Sequence, residues 1–250
     1  DAGASGDLTV HGPVDLGAGA LTVTDAAAVQ FLGTVEAESL TQLDGSTSTT
    51  FGARVTTGGS FAFTGQALTL EGSGHDIGGS MTVTNAGLFT TGNRADLAVG
   101  GAFTQDGAGA IVLGEDLVLT GPGALTLGQA VTLAGDRDEI IVLETAGNTG
   151  DDIDLAATLQ NTRDESVTFD AGPDGTITVG GTSAISGRDP YGSTMRRGLP
   201  LRPPSPPRTS GRCVVPGRRS SRTRSTSGDP SPSLASPSPS RGPGTTLTDP

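Results

Sequence analysis

An all-β solenoid is the fold class this sequence predicts, and three observations carry the prediction. The apolar pieces are three to five residues long, as in Ser80-Met81-Thr82-Val83-Thr84, Leu97-Ala98-Val99, Ile111-Val112-Leu113 and Leu117-Val118-Leu119-Thr120, which is too short for a helix. Each piece ends at Gly or Asn, residues that turn the chain at little steric cost. Finally, aromatic residues make up only 3% of the chain and Trp is absent, so a thick central core is not provided for. Strands this short cannot bury a face alone, but they can when each rung stacks on the one before.

The repeated word is apolar–Thr–apolar: Leu8-Thr9-Val10, Leu21-Thr22-Val23, Leu68-Thr69-Leu70, Met81-Thr82-Val83, Leu125-Thr126-Leu127, Val131-Thr132-Leu133 and Ile177-Thr178-Val179. This is a period of two, with a β-branched Thr at the outward position. Val29-Gln30-Phe31, Phe61-Ala62-Phe63 and Val167-Thr168-Phe169 follow the same rule with Phe, and Leu88-Phe89-Thr90 is a further short piece. Turn signals such as Asp44-Gly45, Gly58-Gly59, Gly78-Gly79 and Asp174-Gly175 lie between them. Asp25 to Ala28 is the best helix former but is cut short by Gly33 and β-branched neighbours. Glu139 to Leu143 reads as a strand buried on both faces. At ~20–25 residues per turn, residues 1–187 make about eight or nine turns. A β-sandwich is the alternative architecture, though its strands are usually longer and want aromatic anchors.

Charge divides the chain near Gly187. Residues 1–187 contain four Arg against 24 Asp and Glu, whereas residues 188–250 contain 11 Arg, three Asp and 13 of the 16 prolines. There is no Lys. Residues 188–250, Arg-, Pro- and Ser-rich, cannot build a core, and disorder is expected there. Three readings of that tail stay open: a linker, a basic arm that binds nucleic acid or an acidic surface, or a segment translated out of frame. A single cysteine, Cys213, excludes a disulfide framework within the chain and a cysteine zinc cluster. The start at Asp1 reads as a cut from a longer array.

Chemistry-bearing residues are few. Asp151, Asp152 and Asp154 form the densest acidic cluster, and alternation points Asp152 and Asp154 to one face. They are a weak candidate for Ca²⁺, set against a solvated acidic turn. A carbohydrate-cleaving site would need carboxylates converging with an Arg, for which Arg137 and Arg163 are the only candidates. Asp136 to Glu139 reads as a turn with a surface ion pair. His11 and His75 read as turn residues, and Asn85, Asn93, Asn148 and Asn161 as candidates for side-chain ladders inside corners. The lone Tyr, Tyr191, lies beyond the charge break. No catalytic residue and no cofactor is therefore expected, nor enzyme activity.

The runs Val29 to Val35, Glu38 to Thr41, Thr49 to Gly59, Leu88 to Gly114 and Phe169 to Gly181 resemble the β-strand repeats of very large bacterial surface proteins, the filamentous-haemagglutinin-like and autotransporter-associated repeat adhesins. The resemblance covers most of residues 1–187. It implies a right-handed parallel β-helix, export to the surface of a Gram-negative-type cell, and an adhesive or scaffolding role. The partners it implies are host, neighbouring-cell or extracellular matrix and polysaccharide surfaces, with neighbouring repeats of the same parent chain on either side. Neither nucleic acid nor a membrane span in this chain is expected. A polysaccharide lyase or glycosidase-like β-helix is the alternative.

Overall fold

The apolar–Thr–apolar triplets form strands because alternation gives each one a dry side and a wet side, and the chain winds so that every dry side faces the same axis. The computed structural model describes residues 1–45, 47–136, 139–146, 150–185 and 212–215. Among these there is no helix. The strands fall into three sheets, and all pairings between successive turns are parallel. The sandwich alternative, which requires facing antiparallel sheets, is thereby set aside.

Sheet I runs from Leu8–Val10 through seven intermediate strands to Ser183–Ala184. Sheet II begins at Val14–Asp15 and reaches Ser166–Asp170. Sheet III begins at Ala20–Val23 and ends at Ile177–Val179. The nine strands of sheet I enclose eight full turns. With about 4.8 Å between neighbouring strands, the stack is roughly 40 Å long. Turn length varies from 19 residues, Thr49 to Leu68, to 28, Val131 to Leu159, as the register pairs show. The variation is absorbed at the corners, so strand register is kept while loops differ. Beside Ser166–Asp170, Arg212–Val215 adds an antiparallel strand. The rest of the Arg-rich tail, for which disorder is expected, lies outside the described residues.

The core is a column of stacked inward side chains. In sheet III, Leu40, Phe61, Met81, Phe103, Leu125 and Ile153 succeed one another in register and are each essentially buried. Burying such a side chain contributes about 1.5–3 kcal/mol, so the sum over turns replaces a bulky centre. All seven Phe are buried, more than small aliphatic rungs alone would give. Phe89 and Phe103 bring their ring centroids to 6.0 Å across the interior.

Two strand readings shift. Leu88-Phe89-Thr90 is displaced by one residue: the strand is Phe89–Thr91, with Phe89 and Thr91 inward and Leu88 exposed. A slip of one exchanges every side chain between faces, and the larger Phe takes the dry position. Ile140–Glu144 is buried on one face only, because Ile140 is 58% exposed while Ile141 and Leu143 are buried. Asp25 to Ala28 forms no helix, since Ala28 enters the strand Ala28–Phe31.

The corners are backbone-on-backbone contacts. Gly78, Gly100 and Gly121 lie one above another, and a Cβ on Gly100 would sit 2.2 Å from the Gly78 carbonyl oxygen. The amide of Gly100 donates to the Ile77 carbonyl at 2.7 Å. Glycine is needed there for close approach between turns rather than for a left-handed conformation.

Candidate functional site

Because register is constant, outward side chains form rows along the axis. On sheet I the row runs Thr9, Gln30, Thr50, Thr69, Thr90, Val112, Thr132, Gln160. On sheet III it runs Thr22, Thr41, Ala62, Thr82, Thr104, Thr126, Asp154, Thr178. These are rows of hydroxyl and amide groups at a strand spacing of about 4.8 Å. Sheet II carries acids at Asp15, Glu36 and Asp76, and again at Glu144 and Asp170. The Gln160 amide donates to the Thr132 hydroxyl of the preceding turn at 3.0 Å. Thr84 donates to Asp106 of the following turn at 2.6 Å.

The aspartates at 151, 152 and 154 go to separate tasks. Asp151 is buried, and its Oδ1 accepts the Gly123 amide at 2.7 Å. Its carbonyl accepts the Thr145 hydroxyl at 2.7 Å. Asp152 points outward and accepts both the amide and the hydroxyl of Thr176 at 2.7 Å. Asp154 takes its place in the outward row of sheet III, between Thr126 and Thr178. Among the described residues no three His, Cys, Asp or Glu side chains are grouped to hold a metal ion. Arg163 does not join this cluster: it lies 3.9 Å from exposed Asp136 and donates to the Gly135 carbonyl. Arg137, Asn148 and Tyr191 lie outside the described residues.

His75 is not a turn residue. It opens the strand His75–Ile77 and faces the interior, where its Nδ1 accepts the Val55 amide at 3.1 Å. That bond leaves the proton of the neutral ring on Nε2. Burial pushes the imidazole below its ordinary pKa, with the Glu71 carbonyl and the Asp96 charge working the other way. His11 follows Leu8–Val10 and is exposed.

Asn85 and Asn93 bond to residues other than asparagine. Asn85 is buried and accepts from Gln105 Nε2 of the next turn at 2.6 Å, while its own amide donates to the Gly87 carbonyl. Asn93 reaches Asp136, and Asn161 donates to the Glu165 carbonyl. The polar spine is thus mixed Asn and Gln. Above it a shallow corner groove is lined by Asp44, Gly45, Thr64, Gln66 and Thr84 among others.

A carboxylate cluster is the feature that residue-by-residue reading misses. Glu115, Asp116, Asp96 and Glu139 meet at the corner between sheets I and II. Burial, then the charge of Glu139, then that of Asp96, a hydrogen bond with Glu139 and the charge of Asp116 push the Glu115 carboxyl up to about 7. Burial and Asp96 raise Asp116 as well, against the lowering effect of the Val142 amide it accepts at 2.7 Å. Glu115 and Glu139 are 24 residues apart, about one turn, so only turn length could have signalled the encounter.

These elements define the class: a parallel β-solenoid repeat segment with polar outer rows. No protein-family model matches the chain, and no curated protein or solved structure shows significant similarity to it.

Proposed function

We propose that residues 1–187 act mechanically, as a stalk and multivalent contact surface within an exported bacterial surface protein, and not as a catalyst. The observation that carries this reading is the unbroken register of eight turns, which sets outward Thr rows on sheets I and III along one axis. Stacked parallel strands resist separation because many backbone hydrogen bonds share the load. Evenly spaced hydroxyls offer individually weak contacts whose effect multiplies when several engage one repetitive surface. Two of the three carboxylates that could suggest hydrolysis are engaged in bonds within the fold, Asp151 with Gly123 and Asp152 with Thr176, which supports this reading. Matrix glycoprotein and polysaccharide, both rich in hydroxyl and amide groups, are the surfaces such rows suit.

Beads carrying the full chain, drawn across surfaces coated with polysaccharide or matrix glycoprotein, test the contact role. Retention should rise steeply with chain density and fall when Thr82, Thr104 and Thr126 are replaced together by Asp. Retention equal to that of albumin-coated beads overturns the adhesive part. Single-molecule pulling tests the stalk part, which fails if the turns peel apart at forces that leave an ordinary helical domain folded.

A further inference from the structure

From Val14 to Leu97, sheet II follows one bonding rule where its strands begin. The first inward residue donates its amide to the carbonyl just before its register partner in the next turn: Val14 to Thr34, Val35 to Arg54, His75 to Asp96 and Leu97 to Asp116. Val55 is the exception. The rule assigns its amide the Gly74 carbonyl, since Thr56 pairs with Asp76 and Thr57 with Ile77. The amide goes instead to a side chain, His75 Nδ1, at 3.1 Å. Gly72 and Gly74 turn that corner at φ of 87° and 68°. The strands Val55–Thr57 and His75–Ile77 keep two register partners, against three in the pairs on either side. An imidazole thus stands where the backbone ladder is interrupted.

A backbone carbonyl accepts at any pH, but Nδ1 accepts only while it carries no proton. His75 is 1% exposed, and its Nε2 is buried without a hydrogen-bond partner. A second proton therefore brings a charge into the interior and takes the acceptor away from a buried amide. The inward side chains sharing its turn are Leu68, Leu70, Ile77, Met81, Val83 and Asn85, none of them titratable. Val55 and Thr57 in the preceding turn and Leu97 and Val99 in the next are uncharged as well. Arg54, Glu71, Asp76 and Arg94, on the same and neighbouring turns, are exposed. Burial outweighs the Glu71 carbonyl and the exposed Asp96, which favour the protonated ring.

We propose that His75 is an acid-operated latch: a proton on Nδ1 releases the Val55 amide and opens the pairing of Val55–Thr57 with His75–Ile77 from its corner end. Each turn touches only its neighbours, so the opening stays local. In the open segment the ring titrates near its ordinary value of about 6.5, and in the closed turn it titrates lower. The closed turn is therefore fully favoured above about pH 6.5 and loses that advantage as pH falls toward the lowered value. The latch works whatever the outer rows contact.

Ring NMR titration and hydrogen exchange of the full chain test the latch. His11 is exposed and serves as an internal reference. The His75 ring should hold its proton on Nε2 at neutral pH and titrate below His11. Amides of Val55–Thr57 and His75–Ile77, corrected for intrinsic exchange, should lose protection about tenfold between about pH 7 and pH 5, the effect of roughly one pH unit of mismatched protonation, while those of Leu125–Leu127 stay protected. In His75→Asn, whose side-chain oxygen can accept the Val55 amide but cannot titrate, that pH dependence should vanish. In His75→Leu, which offers no acceptor, protection should be low at both pH values. Titration of His75 at or above His11 overturns the proposal, as does pH-dependent opening that persists in His75→Asn or a loss of protection spread evenly along the solenoid.

Discussion

Phe31 and Phe51, register partners in adjacent turns of sheet I, hold their rings 5.1 Å apart and within 4° of parallel. Phe61 then meets Phe51 edge-on at 5.9 Å, so three rings from two sheets fill the interior of neighbouring turns. Phe51 is the middle member and touches both others. Its truncation removes two ring contacts and leaves a void that rigid backbone stacks on either side cannot close. Phe51→Ala should cost about 3–5 kcal/mol, and Phe51→Leu distinctly less. Chemical denaturation followed by circular dichroism measures both. Equal losses for the two variants would mean that ring geometry, rather than volume, is what the site requires.

The Gln105–Asn85 pair is a different kind of link, since both side chains are fully buried. Gln105 Nε2 also reaches the carbonyls of Gly107 at 3.0 Å and Gly109 at 3.3 Å. Asn85→Ala removes an acceptor from Gln105 and a donor from Gly87, and should cost about 1–3 kcal/mol. A double-mutant cycle with Gln105→Ala should give a coupling of about 0.5–3 kcal/mol. Additive losses would show that the two amides act independently on their own corners.

The fold was legible because its determinant is local. Every apolar–Thr–apolar triplet, from Leu8–Val10 to Ile177–Val179, lies within a strand. Sheet II was harder to see, because His75–Ile77 and Val55–Thr57 place His and Thr at inward positions and break the apolar signature. Alternation alone does not say which phase is inward, so the piece Leu88-Phe89-Thr90 does not announce that Phe89 is buried and Leu88 exposed. The corner cluster was illegible for another reason. Asp96, Glu115 and Glu139 meet only through turn length, and lengths from 19 to 28 residues erase any fixed spacing that could announce it.

Close corners give a further test. At Gly100 an added methyl would press on the Gly78 carbonyl, whose oxygen and carbon would lie 2.2 Å and 2.7 Å away. Neither is the end of a flexible side chain, so the turns themselves must separate. Gly100→Ala should destabilise by about 1–3 kcal/mol, the usual cost of overpacking. Gly12 is the control, because a Cβ there meets nothing within 4 Å. Gly12→Ala should be near neutral by thermal melting. If both variants melted alike, the glycine column would owe nothing to close approach between turns.

The carboxyl corner makes stability depend on pH in an unusual direction. Glu115 is pushed up to about 7 in the folded chain, by burial first and then by Glu139 and its neighbours. In the unfolded chain it titrates near the ordinary Glu value of about 4.3. Between those values the folded state binds the extra proton, so this group's contribution is complete below about pH 4 and is lost as pH rises through about 7. Removing the ionisable group removes that slope. The melting temperature of Glu115→Gln should therefore gain on that of the parent between pH 5 and pH 8, by a few degrees if the change in stability is about 1 kcal/mol. Added salt should shrink the gap, since part of the effect is repulsion among partly exposed carboxylates. A gap that stays flat with pH would mean that Glu115 loses its proton at an ordinary value and that Glu139 and Asp96 do not press on it.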